Sequence, residues 1–163
     1  MTITLKNKDT LIIDDFKLKC CLGKGGLKKN KIEGDYSTPI GEFEIGKLYW
    51  RADRVKKPDT KLICKKIKKN MGWCTDIKDK SYNKEIKINN KVKHEKLYRK
   101  DFKYNYFIVL KYNYKKTIKG KGSAIFIHLT KNYYKTAGCL ALVEKDFLIL
   151  AKLTNKKSKI IIN

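Results

Sequence analysis

The sequence has no long apolar run. Across its 163 residues, no hydrophobic stretch approaches the roughly 18 to 20 residues that a membrane-spanning helix needs. Residues 1–10 also lack the apolar centre and the small-residue cleavage site of a secretory signal. We therefore expect a soluble protein without a transmembrane segment and, as the chain is written, without an export signal.

Arginine is scarce in a chain that is otherwise strongly basic. It occurs only at Arg51, Arg54 and Arg99, so lysine supplies 37 of the 40 basic residues behind the net charge of +24. Clustered cations bind phosphate by releasing counterions, but these lysines are spread over nearly every segment, and bidentate phosphate or guanine recognition favours arginine. We expect a solvated basic surface and no nucleic-acid partner. Attraction to an anionic polymer, either a cell-wall glycan or nucleic acid, is the alternative.

The five cysteines include no pair in the CxxC spacing of a zinc site. We therefore expect no metal. Cys20 and Cys21 end an alternating stretch, which favours a packing role. An odd number of cysteines leaves at least one thiol unpaired unless chains are cross-linked, as suits a reducing compartment or a catalytic thiol. Cys139 is the candidate for that free thiol.

Linkers rich in proline or serine and internal repeats are also absent, so we predict a single domain over residues 1–163. A hydrophobic content of 42% is enough to build a core in a chain of this length. Apolar alternation and short β-rich runs predict strands at residues 2–5, 10–13, 16–22, 42–45, 61–67, 85–88, 106–112, 124–129 and 159–162.

One segment has a good helical pattern. From about Glu144 onward, Phe147, Leu150, Ala151 and Leu153 fall on one face of a helix. Together with the many short strands, this pattern predicts a mainly β fold with minor α, built as a β-sandwich or as mixed sheets with one or two covering helices.

The interval between His128 and Cys139 is the most informative part of the chain. An apolar, β-rich run at residues 124–129 would hold His128 rigidly. A turn of small residues precedes the cysteine: Thr136, Ala137 and Gly138. Such a turn leaves backbone N–H groups free around the sulfur.

This arrangement suits acyl transfer. A thiol attacks as its thiolate, so a cysteine needs a nearby base or positive dipole to react at neutral pH, and His128 on an adjacent strand would supply the base. The N–H groups of Gly138 and Cys139 could stabilise the oxyanion of a tetrahedral intermediate, typically by about 3 kcal/mol per donor. The spacing alone leaves the alternative open that His128 is a satisfied core histidine and Cys139 a packing residue.

The motifs around this interval resemble those of the L,D-transpeptidases of the YkuD type, in which a histidine precedes a Ser/Thr-x-Gly-Cys turn. An upstream stretch, residues 31–43, is similar to the family's segment ending in Thr-Pro-x-Gly-x-Phe. Further similarity, which extends the likeness over roughly residues 20–150, is found at residues 23–26, 72–76, 82–83, 94–95, 99, 112–113 and 120–124.

The resemblance implies a β-rich YkuD-like fold and a cysteine acyltransferase. Cys139 would attack the carbonyl that joins a diamino acid to the terminal D-alanine of a peptidoglycan tetrapeptide stem, and His128 would act as base and then acid. An amine would resolve the thioester in cross-linking, or water in the alternative, an L,D-carboxypeptidase. No cofactor is implied.

The implied location is the cell envelope or periplasm, with the cytoplasm as the alternative because no export signal is visible. A non-catalytic basic module for peptidoglycan or nucleic acid is the rival from another class.

The chain departs from the family pattern beside the cysteine. Ala137 stands where a histidine is frequent, residues 140–142 are Leu-Ala-Leu where an arginine is common, and the interval from histidine to cysteine is shorter than in many members. Arg99, Arg51, Arg54 or a nearby lysine could replace that arginine in binding a stem carboxylate.

Five further residues are candidates for substrate contacts. Trp73, Asp76 and Asn83 belong to a polar and aromatic cluster that could line the cleft, although core packing explains Trp73 equally well. Tyr133 and Tyr134 lie between the histidine and the cysteine, where one of them could cover the thiol or donate a hydrogen bond to it.

Three short motifs remain. The glycine-rich residues 23–26 lack the spacing of a nucleotide-binding loop, so nucleotide binding is not expected. They predict instead a tight hairpin or a close approach of backbone to substrate. Residues 38–41 predict a turn into the following strand, with a cleft edge as the alternative. His94 and Glu95 predict a surface or loop-anchoring role, with a second acid–base pair as the alternative.

Overall fold

The computed structural model describes residues 1–163, and the chain is mainly β with a single helix. The predicted fold class is therefore confirmed. In chain order the strands are β1 (Thr2–Lys6), β2 (Thr10–Ile13), β3 (Phe16–Lys19), β4 (Leu27–Lys28), β5 (Thr38–Pro39), β6 (Gly41–Trp50), β7 (Cys64–Lys66), β8 (Met71–Cys74), β9 (Glu85–Lys87), β10 (His94–Lys96), β11 (Tyr106–Leu110), β12 (Phe126–Leu129), β13 (Leu140–Leu142) and β14 (Lys159–Ile162). The helix α1 (Glu144–Leu153) lies between the last two strands.

Nine strands form one mixed sheet in which the long strand β6 is central. The order is β13-β12-β11-β6-β14-β1-β2-β3, and β7 also pairs with β6. Residues 41–44 of β6 pair with β14, and residues 45–50 pair mainly with β11, so two half-sheets share this strand. Beyond β3, Cys21 exchanges two backbone hydrogen bonds of 3.0 Å with Ala141 in β13. This bridge links the two ends of the sheet.

The two faces of β12 pack against two different hydrophobic clusters. Ile127 and Leu129 point into the main core, a cluster of 24 buried residues that includes Phe147 of α1. Phe126 belongs to a second cluster of ten buried residues on the other face. Because successive side chains of a strand point to opposite faces, His128 lies on the same face as Phe126.

The second cluster is aromatic and closely packed. The ring centroids of Phe107 and Phe126 are 4.6 Å apart, and Tyr49 stacks on Phe107 at 4.7 Å. Trp73 meets Phe126 edge to face at 5.1 Å. Such pairs add roughly 0.5–1.5 kcal/mol each beyond the burial of their surface. Cys139 packs against this cluster, which therefore gives the thiol a rigid apolar support.

The helix α1 covers the main core as its sequence pattern predicts. Phe147, Leu150 and Ala151 are buried on one face, and Glu144 and Asp146 lie in the first turn, where their charge suits the helix dipole. The helix has ten residues, and the structure contains no helix with the length and hydropathy that crossing a membrane requires.

Some predicted boundaries were wrong. The strand predicted at residues 42–45 extends over Gly41–Trp50, the one predicted at 16–22 ends at Lys19, and the one predicted at 61–67 is confined to Cys64–Lys66. Residues 38–41 include the short strand β5, which pairs with β4. Strand β8 was missed because all four of its residues are buried, so its sequence shows no alternation.

Candidate active site

The pairing of β12 with β13 brings the predicted base and nucleophile together. The two strands are parallel, with Ile127 opposite Leu140 and His128 opposite Ala141. Cys139 directly precedes β13, two residues before Ala141, so its side chain and that of His128 lie on the same face. Both residues line one cavity.

The Cys139 thiol is held by two backbone groups. Its Sγ donates to the carbonyl oxygen of Ala124 at 3.2 Å and accepts the N–H of Phe126 at 3.3 Å. Burial is the main cause that raises the pKa of this thiol to about 12, and the carboxyl group of Glu95 raises it further. The thiol is therefore neutral at physiological pH, and a base would have to take its proton for it to react as a thiolate.

His128 is oriented by a neighbouring backbone carbonyl. Its Nδ1 lies 2.9 Å from the carbonyl oxygen of Leu129. A carbonyl oxygen can only accept a hydrogen bond, so Nδ1 carries the proton and Nε2 keeps the free lone pair of a base. The ring is 7% exposed, and burial lowers the pKa of His128 to about 4. The imidazole is therefore neutral and able to accept a proton at physiological pH.

The buried imidazole predicts a pH-dependent stability. The pKa of His128 is about 4 in the folded protein and near 6.5 when unfolded, so the unfolded state binds more protons between these pH values. The free energy of unfolding should therefore fall as pH falls through this window, by about 3 kcal/mol at most from this group. Guanidinium unfolding at several pH values should show a smaller loss for His128→Gln, which cannot titrate. An equal loss in both proteins would contradict the prediction.

The turn before Cys139 is fixed by its own hydrogen bonds. Thr136 Oγ1 accepts the N–H of Gly138 at 3.1 Å and donates to the carbonyl of Cys139 at 2.5 Å. Gly138 has φ of +139°, and a Cβ there would lie 2.8 Å from the carbonyl oxygen of Ser37. Only glycine fits this position without displacing backbone.

The upstream motif supports this turn from behind. The fully buried Thr38 donates from Oγ1 to the carbonyl of Gly138 at 2.8 Å and accepts the N–H of Gly23 at 2.9 Å. A Cβ on Gly23 would lie 2.8 Å from the Cα of Gly138. The glycine-rich motif and the threonine motif therefore meet at the turn before Cys139, and Thr38 acts there rather than at the cavity surface.

The predicted oxyanion donors differ in availability. The N–H of Gly138 is already donated to Thr136, whereas the N–H of Cys139 has no acceptor within the protein. The N–H of Ala137 is also without a protein acceptor. A developing oxyanion would therefore find the Cys139 N–H free, and Gly138 could contribute only if its bond to Thr136 were exchanged.

The cavity around the thiol has a volume of about 450 Å³ and an uneven charge distribution. Its basic lining residues are Lys31, Arg99, Lys103, Lys131 and Lys135, and its acidic lining residues are Glu33 and Glu95. The excess of cations suits a substrate that carries carboxylates. No group of three or more His, Cys, Asp or Glu side chains is arranged to hold a metal ion.

Two of the predicted substrate contacts line the cavity. Tyr134 lies at the edge of the cavity, where the residue is 78% exposed. Arg99 forms an ion pair with Asp101 through Nη2 at 2.5 Å, and its guanidinium lies 5.1 Å from the centre of the Tyr104 ring. Both residues are placed where a bound peptide could touch them.

The other four predicted substrate contacts lie outside the cavity. Trp73 donates from Nε1 to Asn83 at 2.9 Å, and both side chains are buried in the protein. Asn83 also accepts the N–H of Ala124 at 3.0 Å, so the pair fixes the chain just before β12. Asp76 accepts the backbone N–H groups of Lys78 and Lys93, and Tyr133 lies under the Lys19 ammonium at 4.7 Å. None of the four lines the cavity.

Sequence reasoning missed several residues that do line the cavity. Tyr104 packs edge to face on the His128 ring at 5.5 Å, and its hydroxyl donates to Glu95. Glu95 was noted only as part of an adjacent histidine and glutamate pair, and Tyr104 has no sequence signal. Lys31 and Lys103 cannot be distinguished from the other lysines by sequence.

The comparison with protein families identifies the chain. Residues 2–162 match the family model of YkuD, the L,D-transpeptidase catalytic domain. This match covers nearly the whole sequence, so the protein belongs to the family of L,D-transpeptidase catalytic domains. The resemblance found in the sequence motifs is confirmed. No curated protein matches the sequence.

Two solved structures share the fold. The crystal structure of the helical cell shape determining protein Pgp2 from Campylobacter jejuni is similar with a TM-score of 0.51 and 18% identity, covering 98% of this chain and 46% of that one. A crystal structure of a Pgp2 mutant gives a TM-score of 0.50 and 18% identity, covering 98% and 45%. The chain therefore spans less than half the length of these structures.

Proposed function

We propose that the protein is a cysteine acyltransferase of the L,D-transpeptidase type that acts on peptidoglycan tetrapeptide stems. The observation that carries this proposal is the placement of the Cys139 thiol and the neutral His128 imidazole on one face of two paired strands, in the same cavity. The membership of the chain in the L,D-transpeptidase family supports the same chemistry.

The proposed reaction has two steps. In the first, Cys139 attacks the carbonyl between the diamino acid and the terminal D-alanine while His128 Nε2 takes the thiol proton. The tetrahedral intermediate collapses when the imidazolium gives this proton to the leaving amine, which releases D-alanine and leaves a thioester. In the second step, an amine of another stem attacks the thioester, His128 takes its proton, and this proton returns to the departing Cys139 sulfur.

The cavity charge supports a carboxylate-bearing substrate. The terminal carboxylate of D-alanine would lie among Arg99, Lys103 and the other basic lining residues. These cations replace the arginine that the family commonly carries after the cysteine and that this chain lacks.

The same cations favour a second candidate, L,D-carboxypeptidase activity. An acceptor amine approaches partly as an ammonium ion, and the five basic lining residues outnumber the two acidic ones, so the net charge of the cavity disfavours this cation but not water. Hydrolysis of the same thioester would then trim stems instead of joining them. For either activity, the proposed substrate implies action in the cell envelope.

Purified tetrapeptide muropeptides test both candidates. Incubation with the protein should release D-alanine, and mass spectrometry should then show either a cross-linked dimer or a tripeptide stem. The matched control is Cys139→Ala, which should release nothing. Binding of the muropeptide without any loss of D-alanine would overturn the enzyme proposal and support a non-catalytic basic module.

A further inference from the structure

Glu95 is an acidic residue in a mainly basic cavity. It lies in the middle of β10, opposite Trp73 of β8, and lines the cavity with Cys139 and His128. The residue as a whole is half-buried, and burial of its carboxyl group is the main cause that raises its pKa. A carboxylate in such a place is costly unless a partner compensates its charge.

Only one of the two carboxylate oxygens of Glu95 accepts a hydrogen bond from the protein. The hydroxyl of Tyr104 donates to Oε1, and no protein group donates to Oε2. The nearby Arg99 is bonded to Asp101, with Nε at 2.9 Å and Nη2 at 2.5 Å from its carboxylate oxygens.

The other acidic residue of the cavity shows the contrast. Glu33 accepts the hydroxyl of Tyr82 at 2.9 Å on one oxygen and the hydroxyl of Ser123 at 2.8 Å on the other. Both of its oxygens therefore have protein partners, and its role is to hold the cavity wall. Glu95 is the carboxylate with an oxygen left for a ligand.

The charge of Glu95 also acts on the nucleophile. After burial, it is the largest influence that raises the pKa of Cys139, whereas the Phe126 N–H and the cations of Lys31 and Arg99 lower this pKa. An anion beside a thiol disfavours the thiolate that must attack. In the free protein, Glu95 therefore suppresses the reactive form of Cys139.

We propose that Glu95 binds the free ammonium group of the diamino acid in the stem, and that this cation offsets the negative charge beside the Cys139 thiol when substrate binds. The inference rests on the proposed function, which supplies the diamino acid as the acyl donor. A charge-assisted hydrogen bond from the ammonium to Glu95 Oε2 would satisfy the unused oxygen.

This arrangement makes substrate binding a condition for reactivity. A stem whose diamino acid amine is already acylated, as in a cross-link, has no cation for Glu95 and leaves the thiolate suppressed. The site would thus accept uncross-linked stems as acyl donors and would not react with stems whose diamino acid amine is already acylated.

Glu95→Gln tests the proposal because glutamine keeps the shape and the acceptor for Tyr104 but lacks the charge. The matched control is Glu85→Gln: Glu85 also accepts a tyrosine hydroxyl, from Tyr49 at 2.6 Å, but does not line the cavity. Two tetrapeptide stems are compared, one with the free amine and one with the amine acetylated. Release of D-alanine is followed by mass spectrometry, and binding to Cys139→Ala by calorimetry.

The wild type should prefer the free amine by roughly tenfold or more in kcat/KM, since a carboxylate left without its cation weakens binding and catalysis. Glu95→Gln should lose most of this preference. It should also react with iodoacetamide at Cys139 roughly threefold to tenfold faster at neutral pH, because the thiolate fraction rises as the pKa falls. A purely structural role would not produce both changes, and Glu85→Gln should produce neither.

Equal use of both stems by the wild type overturns the proposal without any variant. So does an unchanged preference in Glu95→Gln, or alkylation that is no faster than in the wild type. If the wild type releases D-alanine from neither stem, the proposed function fails. The calorimetric preference of Cys139→Ala for the free amine then still decides whether the cavity selects an ammonium group.

Discussion

Replacing Cys139 by alanine should lower the release of D-alanine from muropeptides by roughly four orders of magnitude or more, because the covalent route loses its nucleophile. The loss should appear in kcat, with the affinity for the stem largely kept, since the cavity residues that would bind carboxylates remain. Intact mass after exposure to a carbapenem should show an adduct on the wild type and none on the variant.

A matched control comes from another free thiol. Cys64 is half-buried, donates to the carbonyl of Leu62 at 3.6 Å and does not line the cavity. Cys64→Ala should keep both the activity and the carbapenem adduct. An adduct that persists in Cys139→Ala, or activity that survives there, would remove Cys139 from the proposed mechanism.

Replacing His128 by glutamine should lower kcat roughly 100-fold to 10,000-fold, the usual range for the loss of a general base. The wild-type profile of kcat/KM against pH should lose activity on the acid side near pH 4, because the pKa of His128 is about 4 and the protonated ring cannot accept the thiol proton. The profile should stay level towards neutral pH, where both the thiol and the imidazole are neutral.

His94 provides the matched control for this variant. Its Nδ1 also lies close to a backbone carbonyl, that of Val92 at 2.7 Å, but its side chain does not line the cavity. His94→Gln should keep the activity and the pH profile of the wild type. An acid limb near the ordinary histidine pKa in the wild type, or an active His128→Gln, would contradict the assigned role of His128.

The sequence could indicate His128 and Cys139 as the candidate base and nucleophile because each belongs to a local pattern. The apolar, β-rich run of residues 124–129 predicts a strand that carries His128, and the small residues before Cys139 predict a turn. Both features appear in the structure, as strand β12 and as the turn held by Thr136. Local patterns of this kind depend on backbone periodicity and turn chemistry, which neighbouring residues determine.

The prediction of the cleft wall was weaker because it depended on residue type alone. Trp73 and Asn83 have the chemistry of a binding site, but they bond to each other and support the chain before β12. Strand β13 has only three residues, too few for a periodic signal, yet its pairing with β12 places Cys139 beside His128.

The sequence by itself determined the mainly β class and the helix that follows Cys139, and it predicted the thiol and the imidazole as the reactive pair. Only the tertiary structure decided that Thr38 supports the turn of Gly138, and that Glu95 and Tyr104 lie beside the thiol. Thr38 is 100 positions from Gly138 in the chain, and Glu95 and Tyr104 are 44 and 35 positions from Cys139. Strand pairing brings such residues together, and the local periodicity of a sequence does not specify which strands will pair.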